Sequence, residues 1–349
     1  MENLLGKMVK DKKSEEFARL DAINIVTSLF ADLLDREKDV LSRRFGLKGD
    51  KGETLEKIGQ LHKLTRERVR QIEVSSIKKI KKLENLGSSI TTLKDIVMGL
   101  LREHGGLIGR DYLLNILSVV CMEINSELSA DKPEYELNRR AYHNHFNFLI
   151  SRLLGDELEL VAESDKFNPS FRIKNEGIDH LEELADDLLK NIELLKKTFT
   201  TEELLTLLKK LDAYNKHANK FNGADGTDNA DITAVFKSQV FPDKGEIINS
   251  NKVLYSLMQA MKNLEQNKYG EWGIAHWGEV KPKTVNDKIY LILKHNGQPL
   301  HFTDIAKKIN EMKFDHKTAN AATVHNELIL DNRYILTSRG VYGLKEWQK

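Results

Sequence analysis

Apolar residues recur along this chain at helical spacing in short runs, each closed by a glycine or a polar break. Leu55, Ile58, Leu61, Leu64, Val69 and Ile72 have the spacing of two helices packed around a three- to four-residue turn. The first of these helices is expected over residues 54–61. The second starts after Thr65, whose hydroxyl can cap it, and runs towards Lys82 with Val69, Ile72, Ile77 and Ile80 facing a core. Just upstream, residues 29–41 and 42–47 supply two further short helices that end at a glycine stop, Gly46.

Beyond residue 86 one plan recurs at a spacing of about 80 to 90 residues: three helices, then two short strands. In the last copy, a helix over 284–294 ends at Asn296-Gly297 and a short extended entry covers 299–302. Thr303 caps a second helix through Met312, and a third covers 322–330. A β-hairpin follows over 333–337 and 340–344, turning across Ser338-Arg339. Weaker copies place helices at 92–103, 110–120 and 140–154 before strands at 158–162 and 170–173. A third set has helices at 178–197, 201–211 and 250–262 before strands at 264–267 and 271–274. The polar tract 215–231 is expected to be an inserted mobile loop.

Candidate chemistry concentrates on the helix after Thr65. Arg66, Glu67, Arg70 and Gln71 stand at i, i+1, i+4 and i+5, one contiguous patch near its N-terminal end. A recognition helix touches base edges with that end. The residue types fit such contacts, since Arg forks onto guanine O6 and N7, Gln onto adenine N6 and N7, and Glu accepts from cytosine N4. An Arg/Glu-rich helix face is also what a solvated surface looks like, so the preceding helix and turn carry the case for a helix-turn-helix.

With these residues in view, segment 29–83 closely resembles region 4 of the sigma-70 family, the domain that reads the minus-35 promoter element and docks on the flap of the RNA polymerase beta subunit. The resemblance covers about a sixth of the chain. It implies base contacts by Arg66, Glu67, Arg70 and Gln71, and phosphate contacts by Arg36, Arg44, Leu55, Glu56 and Thr65. Ser75 stands where the family usually carries a phosphate-facing lysine; Lys78, Lys79, Lys81 and Lys82 lie nearby as substitutes, of which Lys78 and Lys79 are the candidates. A second resemblance is carried by residues 297–302, Asp304-Ile305-Ala306, residues 323–328 and residues 339–344. Segment 283–347 looks like the HARE-type winged helix, a family that includes the folded domain of the RNA polymerase delta subunit and modules of restriction and chromatin proteins. It implies DNA or polymerase contact without fixing which.

Composition narrows the class. A formal net charge of +1 conceals an uneven distribution: 15 Lys and Arg against 8 Asp and Glu over residues 35–83, but 7 against 13 over 175–231. The basic end coincides with the helix-turn-helix, and a local cationic patch predicts salt-dependent DNA affinity. One cysteine, Cys121, sits in an apolar run, which excludes an intrachain disulfide or a thiolate zinc cluster and makes it a buried spectator. The N-terminal residues lack a signal-peptide pattern and no stretch approaches a spanning helix, so a cytoplasmic location is expected.

Several constellations point elsewhere only superficially. His143 and His145, at i and i+2, face different sides of a helix. His325-Asn326-Glu327-Leu328 lacks the zincin's second histidine, since Ile329 occupies that place. Residues 46–52 lack the Gly-Lys-Ser/Thr ending of a phosphate loop, and Trp272, Trp277, Trp347, Tyr269 and Tyr342 are expected to close small cores. No residue can be nominated for catalysis, and no cofactor, metal or small-molecule substrate is expected.

The expected fold is therefore mainly α: a helix-turn-helix domain followed by a string of winged-helix domains with small β-hairpin wings. Its parts are an N-terminal helical lead (1–26), the region 4-like domain (27–84), winged helices at 90–174 and 177–276, and the HARE-type domain at 280–349. The expected partners are double-stranded promoter DNA and RNA polymerase core. Nothing in 84–349 resembles sigma region 2, so an accessory or alternative initiation factor is expected rather than a complete promoter-opening one. A delta-like polymerase modulator, and a nucleoid- or restriction-linked DNA-binding protein without polymerase contact, remain as alternatives.

Overall fold

A computed structural model describes residues 20–125, 133–155, 157–221, 243 and 245–348. The N-terminal lead up to residue 19 and the polar tract from residue 222 lie outside the described residues, while residues 215, 216 and 218–221, expected as part of a mobile loop, are helical. The described residues fall into two compact units, one within 1–182 and 216–260 and the other within 183–215 and 261–349.

The first unit opens with α1 (Ala22–Leu29), whose N-cap Asp21 accepts from the amides of Ile23 and Asn24. One helix, α2 (Asp35–Phe45), replaces the two short ones expected between 29 and 47. Its first turn is held by the Glu37 carboxylate, which accepts from the Leu34 amide at 3.0 Å, and nothing in 35–45 interrupts the ladder until Gly46 turns it off at φ +64°. Then come α3 (Leu55–His62) and α4 (Arg66–Ile80), capped by Thr54 and Thr65, which accept from the amides of Lys57 and Arg68. Val40, Ile58, Val69 and Ile72 form their shared core, with Leu55 and Leu64 packed against it. Leu61 is 55% exposed. On an eight-residue helix that turns Leu55 and Ile58 inward, the next inward position is residue 62, and His62 takes it, hydrogen-bonded to Asp39 at 2.8 Å.

The same unit continues as α5 (Leu86–Glu103), β1 (Leu107–Gly109), α6 (Arg110–Asn125), α7 (Pro133–Leu153), β2 (Leu158–Val161) and β3 (Ser170–Ile173). The strands make one antiparallel sheet in the order β1-β3-β2, pairing Leu107 with Arg172 and Leu158 with Ile173. Three helices, a small strand and a two-stranded wing give this part a winged-helix-like order. One helix from further along the chain completes this layer: after α8 (Asp179–Leu195), α9 (Thr201–Leu208), α10 (Asp212–Lys216), α11 (Ala218–Phe221) and α12 (Gly245–Asn249) comes α13 (Lys252–Ala260), which packs on β1 and α6. Ser256 donates to the Leu107 carbonyl at 2.9 Å, and buried Lys252 pairs with Glu103 at 2.8 Å. The division between the units falls within α8 and within α10, so segment 177–276 contributes to both units.

In the second unit, β4 (Leu264–Gln266) and β5 (Trp272–Ile274) form a hairpin, and Phe199 bridges to Trp272. It continues with α14 (Val285–Asn296), β6 (Leu300–His301), α15 (Phe302–Met312), α16 (Ala321–Leu330), β7 (Tyr334–Ser338) and β8 (Val341–Leu344). The sheet order is β6-β8-β7, so the extended entry before α15 joins the wing as its third strand. Ile289, Leu293, Ile305, Val324, Leu328 and Tyr342 are among its core residues. The N-cap of α15 is His301 rather than Thr303. The chain stays extended in β6 through residue 301, so the His301 ring takes the capping role, accepting from the Thr303 amide at 3.4 Å and contacting the Thr303 hydroxyl at 2.7 Å. The protein is thus mainly α with small antiparallel sheets, a helix-turn-helix followed by winged-helix-like layers.

Candidate nucleic-acid interface

The helix-turn-helix is built around a three-residue turn. Lys63 ends α3 in the left-handed conformation at φ +56°, the Leu64 amide returns to the Gly59 carbonyl at 2.8 Å, and Thr65 starts α4. Gly59 is needed there, because a Cβ at that position would stand 2.6 Å from the Leu64 carbonyl oxygen.

This turn sets the orientation of α4. Val69, Ile72, Ser76 and Ile80 are buried, so the opposite face, with Arg66, Glu67, Arg70 and Gln71, is exposed. The four residues share the first half of the helix, as their spacing predicts. They are not independent. Arg70 donates to both oxygens of Glu67 at 2.9 and 2.8 Å, and Arg68 donates to the Gln71 side-chain oxygen Oε1 at 3.2 Å. The Arg70 guanidinium holds the Glu67 carboxyl below its ordinary range, and Glu67 in turn raises Arg70. Arg68 is absent from the residues the sequence nominates, although its i, i+3 spacing to Gln71 is legible there.

The expected phosphate contacts divide into two groups. Arg36 and Glu56 are exposed, Thr65 serves as the cap of α4, Leu55 packs against the core, and Lys78 is exposed on α4. Arg44 and Lys79 are already engaged. Arg44 donates to the Glu53 carbonyl at 3.1 Å and pairs with Glu73 at 3.4 Å, while Lys79 pairs with Glu37 at 2.6 Å, tying α4 to α2. Ser75 turns its hydroxyl back to the Ile72 carbonyl at 3.1 Å. Of the lysines near it, Lys78, Lys81 and Lys82 remain exposed with no carboxylate partner among the described residues.

Helix α7, outside the expected module, grips it at four points. Asn144 donates to the carbonyls of Gly46 at 2.8 Å and Asp50 at 3.0 Å. Phe148 packs edge-on against Phe30 and Phe45, with centroids 5.7 and 4.9 Å away. Arg152 lies 5.3 Å over the Phe45 ring and reaches buried Glu73 of α4 at 3.7 Å. Gly49 lies so close to Leu137 that a Cβ there would stand 2.8 Å from the Leu137 carbonyl oxygen. None of these pairings has a local signature in the sequence.

Residues 29–82 match the family model of sigma-70 region 4. The chain is similar to the RNA polymerase sigma factors SigA of Microcystis aeruginosa and of Synechocystis, each 40% identical over 76 residues, which is 22% of this chain and 17% of the relative. The SigA of Nostoc is likewise 40% identical over 76 residues, 18% of its length. The chain thus spans under a fifth of the length of these relatives. No solved structure matches it. Among the described residues, no helix is long and apolar enough to cross a membrane. What the comparisons establish is confined to one segment: residues 29–82 carry a sigma-70 region 4 module.

Proposed function

We propose that the chain is a sequence-specific DNA-binding factor in transcription initiation, which reads a minus-35-like element through α4 and contacts RNA polymerase. The observation that carries it is the position of Arg66, Glu67, Arg70 and Gln71, exposed on the N-terminal half of a helix whose other face is buried against α3. In a helix-turn-helix, that half enters the major groove while the preceding helix crosses the backbone. Arg36, Arg44, Leu55, Glu56, Thr65 and Lys78 then stand along the phosphates, with Arg44 exchanging Glu73 for a phosphate oxygen. The mechanism is binding, not catalysis, and the region 4 surface docks on the polymerase beta flap.

The last unit acts as a HARE-type winged helix that adds a second weak contact to DNA or polymerase, which raises the effective concentration of the first. Its order of helix, strand, two helices and hairpin supports that assignment. The test is an anisotropy titration of the full chain on a duplex bearing a TTGACA-like element and on a scrambled duplex, with and without core polymerase. Preference for the element, strengthened by core enzyme, is the expected result. Equal binding to both duplexes, indifferent to core enzyme, overturns it.

A further inference from the structure

The basic surface of the matched module is not confined to α4. Between α2 and α3 lies a cleft of about 420 Å³ lined by Arg43, Lys48, Asp50, Lys51, Glu53 and Lys57 among others. Its charges are unevenly used. Glu53 occupies Lys57 at 2.8 Å and Arg43 at 3.6 Å, and Arg43 also pairs with Asp39 at 2.8 Å. Lys48 and Lys51 are exposed and have no carboxylate partner among the described residues. They flank the N-terminal end of α3, where the first helix of a helix-turn-helix meets the phosphate backbone and where orphan amides favour an anion.

The turn that carries these lysines is held in shape. Asn144 of α7 takes up the carbonyls on both sides of it, at Gly46 and Asp50, and Gly49 is pressed against Leu137. On α7, Arg140 lies one turn from both Leu137 and Asn144, on the face that meets the turn. Its guanidinium is exposed, donates to the Glu136 carbonyl at 3.3 Å and has no carboxylate partner among the described residues. Two lysines on the turn and an arginine on the helix that braces it are thus left without carboxylate partners among the described residues, on a scaffold that costs little further ordering on binding.

We infer that this turn and α7 form a second phosphate-binding surface, through which Lys48, Lys51 and Arg140 clamp the duplex backbone flanking the element read by α4. The inference rests on the DNA-binding function proposed above. Phosphate contacts carry no sequence information, so their loss weakens binding uniformly and makes it less salt-dependent.

The test compares full-length wild type, the triple variant Lys48→Ala, Lys51→Ala, Arg140→Ala, and Arg70→Ala on the element and scrambled duplexes across a salt series. All three substituted side chains of the triple variant are exposed, and circular dichroism checks that it folds. The triple variant is expected to lose affinity by the same factor on both duplexes. The slope of log affinity against log salt should become shallower by about 0.9 for each lost contact. An unchanged slope and affinity in the triple variant, beside a loss of preference in Arg70→Ala, overturns the second surface and leaves the α4 reading standing. Failure of wild type to bind either duplex overturns both.

Discussion

Glu67 and Arg70 face each other across one turn of α4, joined by two parallel hydrogen bonds of 2.9 and 2.8 Å. Both side chains remain more than half exposed, at 59% and 55%. An exposed pair of this kind is weakly stabilising, so its separation on meeting a base costs little. The pair holds Arg70 in a defined position without trapping it.

Arg70→Ala is expected to reduce preference for the element over the scrambled duplex by about 1 to 3 kcal/mol, with little change in melting temperature. Glu67→Gln removes a carboxylate that opposes phosphate and releases Arg70. Affinity for the scrambled duplex should rise as preference falls, read by anisotropy at two salt concentrations.

Gly59→Ala tests the turn. The added methyl meets the carbonyl oxygen of Leu64, a residue whose amide is tied to the Gly59 carbonyl at 2.8 Å, so the turn must open or α3 must shift. A loss of about 1 to 3 kcal/mol in denaturant unfolding is expected, the range for overpacked sites. An unaltered midpoint would show that the turn is more yielding than its geometry implies.

Asn144→Ala leaves the carbonyls of Gly46 and Asp50 without their side-chain donor. The Asp50 bond is exposed, so water replaces that part of the loss, while Gly46 is buried, and about 1 kcal/mol is expected from the net value of such bonds. Hydrogen exchange at residues 46–52 should accelerate more than at α4, because the α3–α4 core is untouched.

Stability should depend on acid through His104. Burial pushes this imidazole down to about 4, opposed by its hydrogen bond to the Leu100 carbonyl, with the Lys252 ammonium adding to the downward shift. The folded state thus keeps His104 neutral where the unfolded chain would protonate it. Its contribution is fully present above pH 6.5, the ordinary value, and is lost as pH falls towards 4, by up to roughly 3 kcal/mol. His104→Leu should show a smaller fall in melting temperature between pH 7 and 4.5 than wild type. Buried His145 and His180 shift in the same direction, so part of the acid sensitivity should persist.

The local elements were legible because their signals are local. Thr65 followed by Val69 and Ile72 sets both the cap and the buried face of α4, and that alone turns Arg66, Glu67, Arg70 and Gln71 outward. The wing follows from the runs at 333–337 and 340–344, but its turn falls at Arg339-Gly340, with Gly340 at φ +73°, and not across Ser338-Arg339 as expected, because Ser338 stays in the strand paired with Val341. The cap at His301 is not legible in the same way, because a histidine cap carries no strong propensity and Thr303 looks the better candidate two residues on.

Tertiary structure alone decided which charges are spent. Lys79 and Lys78 are adjacent and alike in sequence, yet Lys79 meets Glu37 across 42 residues while Lys78 is left to solvent. Asn144 finds Gly46 at a separation of 98 residues, and Lys252 finds Glu103 at 149. Periodicity records which face of a helix is buried, through the area it removes from water, but not which distant segment covers it. That choice is made by the complementarity of whole surfaces, and it gave α7 to the region 4-like module.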